Sequence, residues 1–297
     1  MIDYLTGEIQ TLEPELQFAK FGVRKDVPKG FDVLAFPQTN KILHTAVSTI
    51  AEGVNPVAYG WNSTAYTASL AQYGIYVQIT DILARESAIS VIDSAVRQIR
   101  KALARQMDYA IQVVVNAGTY GVLYGGGKAS RATVAAGDIM DTSLYTKGIR
   151  DIGKVSDSGV EPFANGAYAV IMHNSAEYDL MSNTNTGGWL DVARYATPDQ
   201  IVAGKVQAFR GGMTYRSPFI QEFSSTVDVY PSTIIGKESF GWGFFEPIQP
   251  ILVNTPDSNN PLNLYTSVGG KFSIGITRFE DASATSYRIV RMETAVS

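Results

Sequence analysis

The sequence predicts an α+β protein organised around one long helix. Three observations predict it: an apolar stripe of helical period over residues 86–117, a strand-like alternation just before it, and short strands mixed with helices after it.

In the helical run, Ile89, Ile92, Val96, Ile99, Leu103, Met107, Ala110, Ile111 and Val114 share one stripe. Arg97, Arg100, Lys101, Arg105 and Asp108 lie between them and suit the opposite face. Ala88, Ala95, Ala102 and Ala104 favour helix, the interior holds neither Gly nor Pro, and Asn116 and Gly118 supply a stop. At 1.5 Å per residue the rod would reach about 45 Å, beyond the usual three or four turns. A large body must lie along it.

The first forty residues are poorly periodic, with Phe18, Phe21, Phe31 and Phe36 set among Pro14, Pro28, Gly30 and Pro37. Such a segment is either an unstructured tail or, as its aromatics favour, an extended arm laid along another surface such as a neighbouring subunit's. A short helix or strand is expected over 42–51 and a turn-rich tip over 52–63, where Gly53, Asn55, Pro56 and Gly60 fall. In the return limb Tyr66, Ala68 and Leu70 share one face, whereas Ile75, Val77 and Ile79 have the other parity. A bulge at Gly74 would reconcile them. An isolated two-stranded ribbon is marginal in water, so its natural partner is another copy of the chain.

After the helix, Gly125, Gly126, Gly127 and Lys128 suggest a phosphate loop, but Val122 stands where the first Gly is needed and Ala129 replaces the Ser or Thr. A flexible connection over 118–130 is the better account. A mixed second lobe follows over 141–240, with a helix carrying Leu144, Gly148, Ile152 and Val155 and a buried strand over 168–172. Its next helix starts at Asn174 as N-cap, with Glu177 three residues on, and buries Tyr178, Leu180 and Met181. Short helices are expected over 189–195 and 199–203, and strands over 205–210, 212–216, 227–230 and 233–235. In the tail, Phe272, Ile274 and Ile276 alternate with Lys271, Ser273 and Thr277 as a half-buried strand would. Residues 280–284 are expected to turn into a partner strand over 287–293, and the polar loop 254–261 to mark a lobe boundary.

The chain of 297 residues is 45% apolar and 18% charged, which places it among globular proteins and allows two lobes. It contains no Cys, which excludes a disulfide framework and thiolate chemistry and suits a reducing cytoplasm. A net charge of −4 argues against a dedicated nucleic-acid binder but is compatible with enclosing DNA without gripping it. No membrane span and no signal peptide are expected, so the product should stay where it is made. Chemistry is scarce. His44 and His173 have no metal-ligand spacing, and His173, at a strand end, reads as a loop-binding histidine in preference to a general base. No G-x-S-x-G elbow occurs, and Glu280 and Asp281 read as solvated turn charges. No catalytic, cofactor or metal residue is assigned, and no enzyme activity is expected.

The order of arm, hairpin, long helix, α/β lobe and β return resembles the major capsid protein fold of tailed phages known from Hong Kong 97. Ala51-Glu52-Gly53-Val54-Asn55-Pro56, Thr67-Ala68-Ser69-Leu70-Ala71-Gln72-Tyr73-Gly74 and Ile79-Thr80-Asp81 are similar to the major capsid proteins related to that of the coliphage N4. Asn116-Ala117-Gly118-Thr119, Ala169-Val170-Ile171-Met172-His173 and Ile234-Ile235-Gly236-Lys237-Glu238 resemble later blocks of that family, although Asn174 stands where a Pro is expected.

The resemblance implies an N-terminal arm over 1–40, an E-loop hairpin over 41–82, a spine helix with part of the peripheral domain over 83–140, an axial domain over 141–250 and peripheral return strands over 251–297. It implies a homo-oligomer of hexamers and pentamers in an icosahedral head around double-stranded DNA, made in a host bacterial cytoplasm and ending in the virion. Portal, scaffolding and decoration proteins are the implied partners, with no sequence-specific DNA contact and no membrane. An encapsulin-like shell around enzyme cargo is the alternative. Phe18, Phe21, Phe31, Val54, Pro56, Tyr59, Trp61, Tyr66 and Tyr73 are the expected intersubunit contacts.

Overall fold

The computed structural model describes residues 16–28, 30–39, 58–86, 90–154, 160–183, 208–224, 226–256, 260–279 and 287–296, together with isolated positions between 42 and 56. In chain order the elements are β1 (Val23–Arg24), β2 (Val33–Thr39), β3 (Ser63–Ser69), β4 (Ala71–Thr80), α1 (Asp81–Glu86), α2 (Val91–Val115), β5 (Val122–Tyr124) and α3 (Thr142–Lys154). They continue with β6 (Tyr168–Met172), α4 (Asn174–Ser182), β7 (Ala208–Phe209), β8 (Gly212–Arg216), β9 (Phe223–Ser224), β10 (Asp228–Ile235), β11 (Phe240–Val253), β12 (Tyr265–Arg278) and β13 (Ile289–Ala295). One sheet runs β1-β11-β12-β4, a second runs β5-β13-β10-β6-β8-β7 with β9 beside β10, and β2 and β3 form a separate ribbon.

The long helix is α2, 25 residues and so about 37 Å. It begins later than the 86–117 run, because Ser90 stands at its N-cap and donates its hydroxyl to the Asp93 carboxylate at 2.6 Å. Ala88 and Ile89 lie outside the described residues. Asn116 ends the helix, its N–H reaching back to the Gln112 carbonyl. Ile99, Leu103, Met107 and Ile111 are buried as the stripe requires, and with them Val115 in place of the expected Val114, which is only half-buried. They pack on Phe240 and Trp242 of β11, Val268, Phe272 and Ile274 of β12, and, from the second sheet, Ala169, Ile171, Ile235 and Ile289. One helix therefore ties both sheets into a single core.

Asp108 does not lie on the solvent face. It is buried, and its Oδ1 accepts the N–H of Ala19 at 3.0 Å in a short 3-10 turn at Phe18–Lys20. A carboxylate suits that place because backbone donors there satisfy it.

Further expectations are corrected. The ribbon pairs Val33–Thr39 with Ser63–Ser69, so its outgoing limb lies inside 1–40 and not at 42–51. Leu34 and Phe36 alternate inward with Ala68 to bury against Phe279, whereas Ile42, Val47 and Ile50 are exposed near the tip. Gly74 is no bulge: β4 pairs with β12 in unbroken register, and the parity change falls at Leu70, where the chain leaves the ribbon and joins the first sheet. Residues 118–130 are not a flexible connection, since β5 pairs parallel to β13 and Gly125 packs directly on Asp138.

The lobe boundary lies at 236–239 and not near 250, because β11 runs unbroken from Phe240 beside β12. The closing strand β13 pairs with β10 and β5, not with β12, and so returns to the second sheet. β12 is not half-buried but a central strand, with Ser273 and Thr277 buried as well as Phe272 and Ile274.

Over 227–235 a single strand, β10, replaces the two expected. It tolerates Pro231 because that residue falls where β9 has ended and β6 has not begun, at a point with no ladder partner on that edge. The second core sets Leu144, Tyr145 and Ile152 of α3 on Val170, Met172, Ile234, Val290 and Met292. The expected helices at 189–203, the turn at 280–284, Val155 and His44 lie outside the described residues.

Candidate functional site

The features that stand out are apolar surfaces the chain does not cover itself. At its root the ribbon is pinned: Phe36 and Tyr66 rest on Phe279 with ring centroids 5.0 and 5.4 Å away. Towards the tip, Val47 is 77% exposed and Trp61 68%, and Ile42, Ile50, Pro56 and Tyr59 are exposed with them. Single exposed hydrophobics are ordinary, but several of them in the one segment that joins the limbs of a ribbon mark an interaction site.

A second surface lies where β4, β11 and β12 end together. Tyr76 and Ile251 flank Gly269 from either side in the register of the sheet, and Val77 and Leu252 flank Val268. Tyr76 is 70% exposed, and Leu252, Val253, Leu262 and Leu264 are exposed around it. Sequence reasoning missed this surface. The signal for it was Ile251-Leu252-Val253, three successive apolar residues that a strand must send to both faces. Between ribbon and helix, Ser69, Tyr73, Tyr109, Val113 and Ile276 line a shallow groove of about 280 Å³.

The nine expected contact residues divide. Phe18 is 1% exposed in the chain's own core. Phe21 packs between Phe163 and Tyr215 at 5.6 and 4.8 Å, Tyr66 sits on Phe279, and Tyr73 stacks on Phe272 at 5.2 Å. Phe18 is corrected, because a fully covered ring leaves nothing for a partner, whereas Phe21, Tyr66 and Tyr73 are half-buried and keep part of their surface open. Phe31, Pro56, Tyr59 and Trp61 are exposed, and Val54 lies outside the described residues.

The polar groups serve the fold. His173, not Asn174, is the N-cap of α4: its Nδ1 accepts the Ser175 N–H at 3.2 Å, and its ring stacks on Tyr230 at 4.4 Å. Burial pushes its pKa down, against the opposing pull of Glu222. Tyr178 of that helix faces solvent and is not buried as expected, while Leu180 is buried. Lys128, the lysine of the incomplete phosphate loop, lies 3.8 Å from the Asp138 carboxylate. Glu293, fully buried, receives a bidentate pair of hydrogen bonds from Arg131 at 2.6 and 2.7 Å and lies 2.7 Å from Arg291. Arg131 also lies 3.7 Å over the Phe223 ring. Among the described residues no cluster of three or more His, Asp or Glu could hold a metal, and no helix is long and apolar enough to cross a membrane.

Comparison with known proteins points the same way. A sequence family described as phage capsid protein matches residues 64–289. No curated protein matches the chain in sequence. In structure it is similar to the capsid of Ralstonia phage GP4 (12% identity, TM-score 0.74, covering 100% of this chain and 95% of that one). It is likewise similar to the head structure of Helicobacter pylori bacteriophage KHP40 (10% identity, TM-score 0.75, 100% and 96% covered). Cyanophage Pam1 supplies a third, its capsid asymmetric unit, at 15% identity and TM-score 0.70, with 100% and 99% covered. At such identities the likeness is one of fold.

Proposed function

Because the chain belongs to the phage capsid protein family, we propose that it is the major capsid protein of a tailed phage, closing an icosahedral head from hexamers and pentamers of itself. The observation that carries the reading is the ribbon, pinned at Phe36 and Tyr66, with exposed apolar residues at Val47, Tyr59 and Trp61 in the segment that joins its limbs. Its exposed side chains fit a neighbouring subunit's surface. In this reading the ribbon is the E-loop, α2 the spine, the first sheet the peripheral domain and the second sheet the axial domain, with Phe31, Val54, Pro56, Tyr59 and Trp61 as intersubunit contacts. The N4-like block residues at 51–81 favour that subfamily.

The work of such a subunit is self-association and not catalysis. Each contact is repeated by symmetry, so modest interfaces suffice for a closed assembly. A net charge of −4 suits a wall that encloses DNA without binding it tightly. Portal, scaffolding and decoration proteins complete the head, assembled in the host cytoplasm. An encapsulin-like cargo shell is disfavoured by the family match. Electron microscopy of the purified protein tests the proposal: closed shells are the expected result, and a protein that stays monomeric at every concentration overturns it.

A further inference from the structure

His173 sits between two elements and serves both. Its Nδ1 accepts the Ser175 N–H at 3.2 Å, which makes the neutral imidazole the N-cap of α4 and leaves the ring's proton on Nε2. The same ring stacks on Tyr230 of β10 at 4.4 Å, and the Tyr230 hydroxyl donates to the Glu222 carboxylate at 3.3 Å. Ser, Thr, Asn or Asp is the usual residue in such a cap, and none of them changes its hydrogen-bonding sense near neutral pH. Histidine does: once charged, both ring nitrogens are donors and neither can accept.

The surroundings decide where a proton sends the ring. On the cap side stands the positive end of the α4 dipole, which repels an imidazolium. On the other side the face of Tyr230 and the carboxylate of Glu222 attract one. The remaining charged groups nearby are Glu177 in the first turn of α4, 4.0 Å from Arg216 of β8, and Asp228 of β10. Burial raises the pKa of Glu177 against the pull of Arg216, and it lowers that of His173 against the pull of Glu222. The helix itself depends on its cap. With nine residues α4 is too short to persist by propensity alone, and it seats Ala176 and Leu180 in the second core.

We propose that His173 is a proton-operated switch on α4: neutral, it closes the first turn of the helix; protonated, it gives up Ser175 and is held instead by Tyr230 and Glu222, so that α4 loosens in mild acid. Because folding holds the imidazole neutral, its contribution to stability is complete above the ordinary histidine value of about 6.5 and is lost as the pH falls through the lower folded value.

The test compares the full-length parent with His173→Asn, which keeps a side-chain acceptor at the cap and does not titrate. Glu177, Arg216, Glu222 and Asp228 are common to both proteins, so the difference in their melting temperatures isolates residue 173. From about pH 7.5 to about pH 5 it should move by about 2–4 °C in favour of the Asn variant, as the loss of one N-cap supports. A difference that stays constant overturns the proposal. In the parent alone, hydrogen exchange read by mass spectrometry and corrected for intrinsic rates should show protection across 174–182 falling about five- to tenfold relative to β10 over the same range. An unchanged ratio overturns the proposal as well. Glu222→Gln keeps the acceptor for Tyr230 but removes the charge that draws the proton, so the loss of protection should begin at a lower pH; a midpoint that stays or rises removes Glu222 from the switch. All three readouts are taken on the free subunit and do not depend on whether shells form.

Discussion

The carboxylate of Asp108, in the middle of the long helix, accepts the backbone N–H of Ala19 at 3.0 Å across 89 positions of sequence. Burial pushes the pKa of Asp108 up, and the N–H groups of Ala19, Gln17 and Phe18 pull it back only in part. The acid form is thus relatively favoured in the folded chain. Its contribution to stability is complete below the ordinary aspartate value of about 3.9 and is lost as pH rises through the higher folded value. Asp108→Asn keeps an acceptor without the charge, so the difference in melting temperature between it and the parent should shift in its favour from pH 4 to pH 7. Asp108→Ala, which removes the acceptor, should cost about 1–3 kcal/mol in denaturant unfolding. Parallel melting curves for Asp108→Asn and the parent across that pH range would contradict the account.

Ile99 is 4% exposed and faces Gly270 of the central strand β12, where even a Cβ would crowd Leu103 and Ile99 itself. A carboxylate there would be buried among apolar side chains such as Leu103, Val268 and Phe272. Ile99→Asp should lose more than about 4 kcal/mol and fail to fold, read by circular dichroism and solubility. A variant melting with the parent would mean that this face of α2 is not buried.

Glu293 is the single acid between two guanidiniums, with 0% of its side chain exposed against 34% for Arg131. Removing it leaves Arg291 buried with no counter-charge. Glu293→Ala should cost about 3–5 kcal/mol, toward the lower figure because Arg131 can turn to water. Arg131→Met, which removes the guanidinium from both Glu293 and the Phe223 ring but keeps an apolar stem, should cost less than Glu293→Ala. The reverse order in urea unfolding would place the weight of the cluster on the ring contact instead.

What the sequence made legible is what local periodicity encodes. The stripe from Ile92 to Val114, the strand Tyr168–Met172 and the alternation around Phe272 each carry their own period, and each forms the element it predicts. Pairing is not local. Nothing within 33–39 says that Leu34 and Phe36 face Ala68 and not the nearer 42–51 segment, because Phe279, which closes that cluster, lies far along the chain near its end. Asp108 reads as a surface charge for the same reason: its donors sit in another part of the chain. The exposed aromatics of the site could be nominated by type, but whether Phe18 or Trp61 is spent at home depends on the assembled core.

The ribbon supplies the sharpest test of self-assembly, because its root and its tip are held by different contacts. The seven register pairs from Val33↔Ser69 to Thr39↔Ser63, and the packing of Leu34, Phe36 and Ala68 on Phe279, involve nothing between 40 and 62. Deleting residues 54–62 should therefore leave the pairing and both cores intact, with a melting temperature within a few degrees of the parent, since exposed loop residues contribute little to stability. The same deletion removes Pro56, Tyr59 and Trp61, the apolar side chains a neighbour would cover. The expected product is a soluble, folded subunit that sediments as a monomer or small oligomer and gives no shells in negative-stain micrographs. A milder variant, Tyr59→Ser/Trp61→Ser, should raise the protein concentration needed for assembly without abolishing it. Normal particles from the deletion would show that the ribbon tip is not an assembly contact and would move that role to the exposed sheet end around Tyr76 and Leu252.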